Sequence, residues 1–331
     1  MFYFQRMGEV CQFQFVLSIL LLMECTFMST QFSAMSQTIK GLPLLYQGKV
    51  RDLYEVDNRH LLMVTSDRIS AFDVILPNII PGKGVVLTEL SNFWFKWALH
   101  LVPNHLQLAE KTLKDVFPDP EQRSLIASRA VIVRKLRGLP LEAIVRGYLI
   151  GSAWKDYNSK GMICGTRLPE GMCIADSLPE PLFTPSTKAG LGNHDENVSF
   201  EYIVDSIGPK LAEQLRTISL DIYRKAATYA LKRGIIIADT KFEFGLDEYG
   251  NLVLMDELLT PDSSRFWLAN QYQSGTSPPS FDKQFVRDYL ETLDWDKTPP
   301  GPELPSEIVS KTVIRYRDVL KLITDAELNT F

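Results

Sequence analysis

The segment IADTKFEFGLDEYGNLVLMDELLTPDSSRFW, residues 237–267, carries the densest set of chemistry-bearing side chains in the chain. In a strand alternate residues share a face. Asp239, Lys241 and Glu243 therefore lie on one face, and Thr240, Phe242 and Phe244 on the other. The turn at Asp247, Glu248, Tyr249 and Gly250 returns the chain beside itself, which sets Glu243 opposite residues 255–257 and makes Asp256 its cross-strand neighbour. Carboxylates about 5 Å apart repel unless something neutralises them. A hard divalent cation does so, and Mg²⁺ typically uses one or two carboxylates plus substrate phosphates. The plain alternative is a solvated hairpin face, which the apolar residues crowding both strands disfavour. Lys241 is open to two uses: a salt bridge to its flanking acids, or a reach toward a phosphate or carboxylate ligand.

Other groups point to anions. Gly48-Lys49-Val50-Arg51-Asp52 sits at a strand–turn–strand junction, where glycine lets backbone approach a phosphate and Lys49 supplies charge. It is not a P-loop, because Val50 stands where a Ser or Thr would hold magnesium. Gly190 and Gly192 lack the third glycine of a dinucleotide fingerprint. Ser66-Asp67-Arg68-Ile69-Ser70-Ala71-Phe72-Asp73 packs charges and hydroxyls that could equally cap a helix. Arg146 with Gly147 and Ser152, and Arg265 with Ser263 and Ser264, combine guanidinium and hydroxyl donors suited to an anion. Singly, each is a structural feature. Beside a carboxylate–metal hairpin they imply a nucleotide and a second phosphorylated substrate.

The elements that must position these groups follow from periodicity. LLYQ, VRDLYEV and HLLMVTS read as antiparallel strands with a turn at Asp57 and Asn58. Residues 87–102 suit a buried helix. SRAVIVRKL and LEAIVRGYL, flanking Gly138-Leu139-Pro140, read as a hairpin. Residues 158–200, rich in Gly, Pro, Ser and Thr, read as a long functional or disordered loop. A helix is expected over 207–233, ended by Gly234, with further helices over 282–293 and 306–323 around the linker TPPGPELP. No internal repeat is visible. Strand runs mixed with helix runs predict an α+β fold.

Composition limits the partners. The 331 residues carry 35 Lys and Arg against 40 Asp and Glu, a net charge of −5, which disfavours a nucleic-acid backbone as main partner but not small anions. Cys11, Cys25, Cys164 and Cys173 show no zinc-ligand spacing and read as reduced thiols of a cytoplasmic protein. The apolar window 13–28 is short for a membrane span, so no membrane partner is expected. With polar Met35-Ser36-Gln37-Thr38 following it, residues 1–35 read as a dispensable extension or an upstream start, a targeting segment being the alternative.

The motifs GKVRDLYEV (48–56), SDRISAFD (66–73), LPLEAIVRGYLIGSAWKDY (139–157), PEPLFTPSTKA (179–189), GNHDENVS (192–199), IIIADTKFEFG and MDELLTPDSSRFW occur in one order over about residues 42–325. Together they resemble the SAICAR synthetase family, most of all its monofunctional fungal form. The resemblance implies two α+β lobes related to ATP-grasp and kinase nucleotide-binding folds, with ATP in the cleft: an antiparallel lobe over 36–135 and a second lobe over 136–331. It implies that carboxyaminoimidazole ribonucleotide (CAIR) is joined through its carboxylate to L-aspartate, with ATP cleaved and an acyl phosphate formed, in purine synthesis. By motif, Gly48, Lys49 and Arg51 would cover the ATP phosphates, and Glu243 and Asp256 would hold Mg²⁺. Asp239 and Lys241 would border the reacting carboxylate, and Asp262 the imidazole or aspartate. Arg146, Ser152, Ser264 and Arg265 would grip CAIR, and His194, Asp195 and Glu196 would lie near aspartate or metal. The fungal resemblance carries a monomer with it. A kinase is the rival reading, but no His-Arg-Asp loop occurs and Phe-Glu-Phe-Gly replaces Asp-Phe-Gly. A non-catalytic relative would be expected to have lost Lys49, Glu243 or Asp256, and all three are present.

Overall fold

In the computed structural model the alternating pattern from Leu44 onward becomes β1 (Leu44–Gln47), β2 (Arg51–Glu55) and β3 (His60–Thr65), all antiparallel. Residues 39, 41–188, 196–281 and 283–326 are described. The expectations for residues 1–35, Cys11, Cys25, Gly190, Gly192, His194 and Asp195 fall outside them. The β2–β3 turn is held by Asp57, whose Oδ1 accepts from the backbone N–H of Arg59 at 2.8 Å and of His60 at 2.9 Å. A two-stranded ribbon follows, β4 (Arg68–Ala71) and β5 (Val74–Ile79). Helix α1 (Lys83–Ala98) begins earlier than its apolar run and buries Val86, Leu87, Leu90, Trp94, Phe95 and Ala98 in the main core.

The expected hairpin between SRAVIVRKL and LEAIVRGYL does not form. β6 (Ala130–Arg134) instead completes a four-stranded sheet in the order β1-β2-β3-β6. β7 (Arg137–Gly138) and β8 (Leu141–Tyr148) join a second sheet. The crossing is fixed at Gly245, where a Cβ would come within 2.9 Å of the Leu136 Cβ. That close approach lets Leu139 N–H donate to the Phe244 carbonyl at 2.8 Å, so the link is drawn onto the second sheet instead of turning back.

Within the expected loop 158–200, the described residues 158–188 and 196–200 carry more regular structure than composition implied. They complete α2 (Ser152–Lys160) and supply β9 (Met162–Ile163), β10 (Thr166–Arg167), β11 (Ser177–Phe183) and β12 (Ser186–Thr187). α3 (Phe200–Ile207) and α4 (Pro209–Leu231) follow, with proline at the first turn of α4 and Gly234 in a left-handed conformation after it.

The second sheet runs β11-β8-β13-β14, with β12 on β8 and both β7 and β15 on β13. β13 (Ile235–Leu246) is nearly all buried, which explains its continuous apolar start. It forms the expected hairpin with β14 (Leu252–Met255), and β15 (Ser264–Leu268) pairs with its first half. α4 packs Leu215, Ile222, Tyr223 and Ala226 into the same core. α5 (Gln284–Leu290) and α6 (Ser306–Thr324) occupy the helical stretches expected near the C-terminus. The architecture is α+β, and no helix among the described residues is long and apolar enough to cross a membrane.

Candidate active site

β13 gathers the site by its period. Asp239 stands opposite Arg146 on β8 and opposite Arg265 on β15. Its Oδ2 accepts from Arg146 Nη1 at 2.9 Å and also from Arg265 Nη1. Arg146 also donates to the Thr184 hydroxyl at 2.9 Å and the Ser152 hydroxyl at 3.0 Å. Burial lowers the Arg146 pKa, and Asp239 opposes that shift. At Gly151, where φ is +63°, a Cβ would lie 2.7 Å from the Arg265 guanidinium, so glycine clears its approach. Two guanidinia thus share one carboxylate, with two hydroxyls on the Arg146 side, a cluster with surplus positive charge suited to a dianion.

Two residues along the same face, Lys241 donates to Glu142 Oε1 at 2.5 Å. Burial would lower its pKa, but the charges of Glu142, Glu243 and Asp256 outweigh it and hold the ammonium well above the usual lysine range. Glu243 accepts from Lys188 at 2.7 Å and pairs in register with Met255, adjacent to Asp256 as the turn predicted. Asp256 follows β14 in a left-handed conformation with φ 66°, which breaks the strand's alternation. Its carboxylate takes a bidentate pair from Arg51 at 2.9 and 2.8 Å, and Arg51 also reaches Glu257 at 2.9 Å. Arg51 keeps 16% of its side chain exposed, and its partial burial by itself lowers its pKa. Asp256 and Glu257 reverse this and raise it. Arg51 rises from β2, so the first sheet is tied to the carboxylates of the second.

As a test of magnesium, Glu243 and Asp256 offer hard oxygens near a common lysine, the right chemistry for that ion. Among the described residues no three acidic, His or Cys side chains gather closely enough to hold a metal by themselves. The donor set therefore fits only a metal that shares its coordination with other oxygens, such as phosphates.

The remaining expected residues are more scattered. Gly48 closes the β1–β2 turn, its N–H donating to the Arg51 carbonyl at 2.8 Å, and Lys49 pairs with Asp73 at the surface. Arg51 is placed against Asp256, not beside Lys49. Asp262 lies apart from the Asp239 cluster. It is buried and accepts from Lys83 at 2.7 Å and from the Tyr316 hydroxyl at 2.6 Å, with Lys283 at 3.3 Å. Burial would raise its carboxyl, but Lys283 and Lys83 pull it well below the usual range. Ser264 pairs with Thr240, its hydroxyl 2.8 Å from that of Thr240. It therefore faces the opposite side of the sheet from Arg265, because neighbouring strand residues alternate. Glu196 is exposed beside Thr187.

Sequence reasoning missed Lys83, Glu142, Thr184 and Lys188. Each arrives from an element distant in sequence. The available signals were a charged Glu142 inside an apolar strand and a lysine directly after Pro81-Gly82 at a helix start.

Comparison with known proteins identifies the family. A sequence profile of the family described as SAICAR synthetase matches residues 44–302. Phosphoribosylaminoimidazole-succinocarboxamide synthase of Thioalkalivibrio sulfidiphilus is 60% identical over 288 residues, 87% of this chain and 97% of that one. The Neisseria meningitidis protein of the same name is 58% identical over 284 residues, 86% of this chain and 98% of that one. The structure of SAICAR synthase from Saccharomyces cerevisiae in complex with SAICAR superposes with a TM-score of 0.80 at 43% identity, covering 88% of this chain and 98% of that one. Identity to these bacterial relatives exceeds that to the yeast chain, so the resemblance is not specific to the fungal form. By profile, by identity over nearly the whole length of its relatives and by fold, the chain belongs to the SAICAR synthetase family, the ATP-dependent ligases of purine biosynthesis.

Proposed function

We propose that the face of β13 is where CAIR and L-aspartate are joined. Arg146, Ser152 and Arg265 bind the ribose phosphate of CAIR, with Asp239 holding both guanidinia in place. Lys241, kept protonated by Glu142 and its neighbours, sits against the CAIR carboxylate and offsets its charge. The loop bearing Gly48 and Lys49 covers the ATP phosphates. Glu243 and Asp256 are the residues that would hold Mg²⁺, which when bound with ATP supplies charge neutralisation at the β- and γ-phosphates.

The chemistry then needs positioning and not a protein nucleophile. A carboxylate oxygen of CAIR attacks the γ-phosphorus, ADP leaves, and an acyl phosphate remains. The aspartate amine adds to the acyl carbon, loses its proton, and phosphate departs with the C–O bonding electrons. Asp195 and His194 belong to this reading as neighbours of aspartate, and Asp262 shapes the loop before Ser264 and Arg265. The reading further takes 36–135 and 136–331 as the two lobes, residues 1–35 as outside them, and the working form as a cytoplasmic monomer acting on small molecules alone.

The observation that carries the proposal is the convergence of Arg146 and Arg265 on Asp239, with Ser152 held on Arg146, next to a lysine ringed by Glu142, Glu243 and Asp256. A four-component assay tests it. ADP release requires CAIR, aspartate, ATP and Mg²⁺ together, and SAICAR accumulates in equal amount. Release of ADP that does not depend on aspartate would rule out the ligase assignment.

A further inference from the structure

The carbonyl oxygens of the loop at 48–50 are all captured from one side. Arg68 Nη2 donates to the Gly48 carbonyl at 3.0 Å, and its Nε lies 3.4 Å from the Lys49 carbonyl. The Val50 carbonyl accepts from the Ser66 N–H at 2.8 Å and from the Ser66 hydroxyl at 2.6 Å. Arg68 is itself fixed by Asp52, which is 1% exposed and takes Nη1 at 3.1 Å and Nη2 at 2.6 Å. One edge of the planar guanidinium thus grips a buried carboxylate while the other grips two loop carbonyls. A lysine, with a single point of attachment, cannot make both contacts.

This capture has a directional consequence. In a trans peptide the C=O and the following N–H point in opposite directions. Holding the Gly48 and Lys49 carbonyls against Arg68 turns the N–H groups of Lys49 and Val50 the other way. Successive N–H groups aimed to one side form an anion-binding concavity.

We propose that Arg68, oriented by Asp52 and assisted by Ser66, is a positioning residue that sets the peptide polarity of the 48–50 loop so that its amides face nucleotide phosphate. The inference rests on the assignment of this loop to ATP. Arg68 acts through the loop backbone and does not touch the reacting atoms.

Arg68→Lys tests it, because the substitution keeps a cation beside Asp52 and removes the two-edged grip. KM for ATP and the dissociation constant for ADP are expected to rise about tenfold, the scale of one charged hydrogen bond. KM for CAIR and for aspartate should stay within about twofold, a split that general loosening of the fold would not produce. Lys49→Ala is run in parallel. If Lys49→Ala raises KM for ATP and Arg68→Lys leaves it unchanged, the clamp is overturned while the loop assignment stands. If neither moves it, the loop assignment falls and the clamp with it. Amide exchange on the unaltered protein gives a readout that needs no variant: ADP should protect the Lys49 and Val50 amides, and unchanged exchange there also overturns the proposal.

Discussion

Asp256 and His105 show how single side chains divide between chemistry and stability. Arg51 is shared between Asp256 and Glu257. In Asp256→Asn, Glu257 still answers the guanidinium, so the fold should hold while a hard anionic oxygen is lost from the proposed metal pair. A drop in kcat on the order of a hundredfold with a melting temperature within a few degrees is expected, and near-normal turnover at low magnesium would remove Asp256 from the metal site. His105 behaves differently. Burial, aided by the Arg51 charge, holds its pKa down to about 3 from 6.5. The unfolded chain therefore binds a proton between those values that the folded chain refuses. The stability this group supplies is present above pH 6.5 and is lost as pH falls toward 3. The groups facing it are Arg51, Asp256 and Glu257, which line the same small cavity. Its ring packs on Phe95 at 4.9 Å, so His105→Phe keeps the shape and abolishes the titration. Denaturant unfolding at pH 7 and pH 5 should show the parent losing about 2 kcal/mol more than this variant; parallel losses would contradict the buried neutral imidazole. Residues such as Asp239, Lys241 and Glu243 were legible in sequence because one strand's repeat places them together. Glu142, Lys83 and Lys188 were not, because their partners are 99, 179 and 55 residues away.

At the scale of elements, the β13–β14 hairpin was readable from its turn residues, and its register came out within a residue. The link from β6 to β8 was misread because alternation identifies a strand's faces and says nothing about its partner. What decided it was a tertiary contact, the close approach of Leu136 to Gly245. Glycine at 147 is a comparable constraint. The Tyr223 hydroxyl donates to the Ile237 carbonyl at 2.6 Å and occupies the space where a Cβ of residue 147 would sit. Tyr223 is 3% exposed and has nowhere to retreat. Gly147→Ala should therefore cost about 1–3 kcal/mol by overpacking and displace β8, the strand that carries Arg146. Adding Tyr223→Phe removes the colliding oxygen, so the double variant should unfold at higher denaturant than Gly147→Ala alone. Additive losses in that cycle would show that the collision is not the cause.

For the whole molecule, the α+β class and the family were legible, while the way the two sheets are joined was not. The family profile begins at residue 44. A chain beginning at Met35 is thus expected to keep kcat/KM within about twofold, and loss of folding would place residues 1–35 inside the domain. The decisive long-range tie is Arg51. It leaves the first sheet to neutralise Asp256 and Glu257 beside the second, and no local pattern announces a contact spanning 205 residues. Any cation that binds Asp256 must share it with this guanidinium. Removing one partner of this part-buried pair leaves the other charge uncompensated. Arg51→Met should accordingly melt well below the parent. It should also recover more on addition of Mg²⁺ alone, at constant ionic strength, because the ion then meets two carboxylates with no resident competitor. Thermal melts of both proteins across a magnesium titration measure the difference. An increment no larger in Arg51→Met than in the parent would mean that the Asp256 carboxylate serves the tie between the sheets and not the metal.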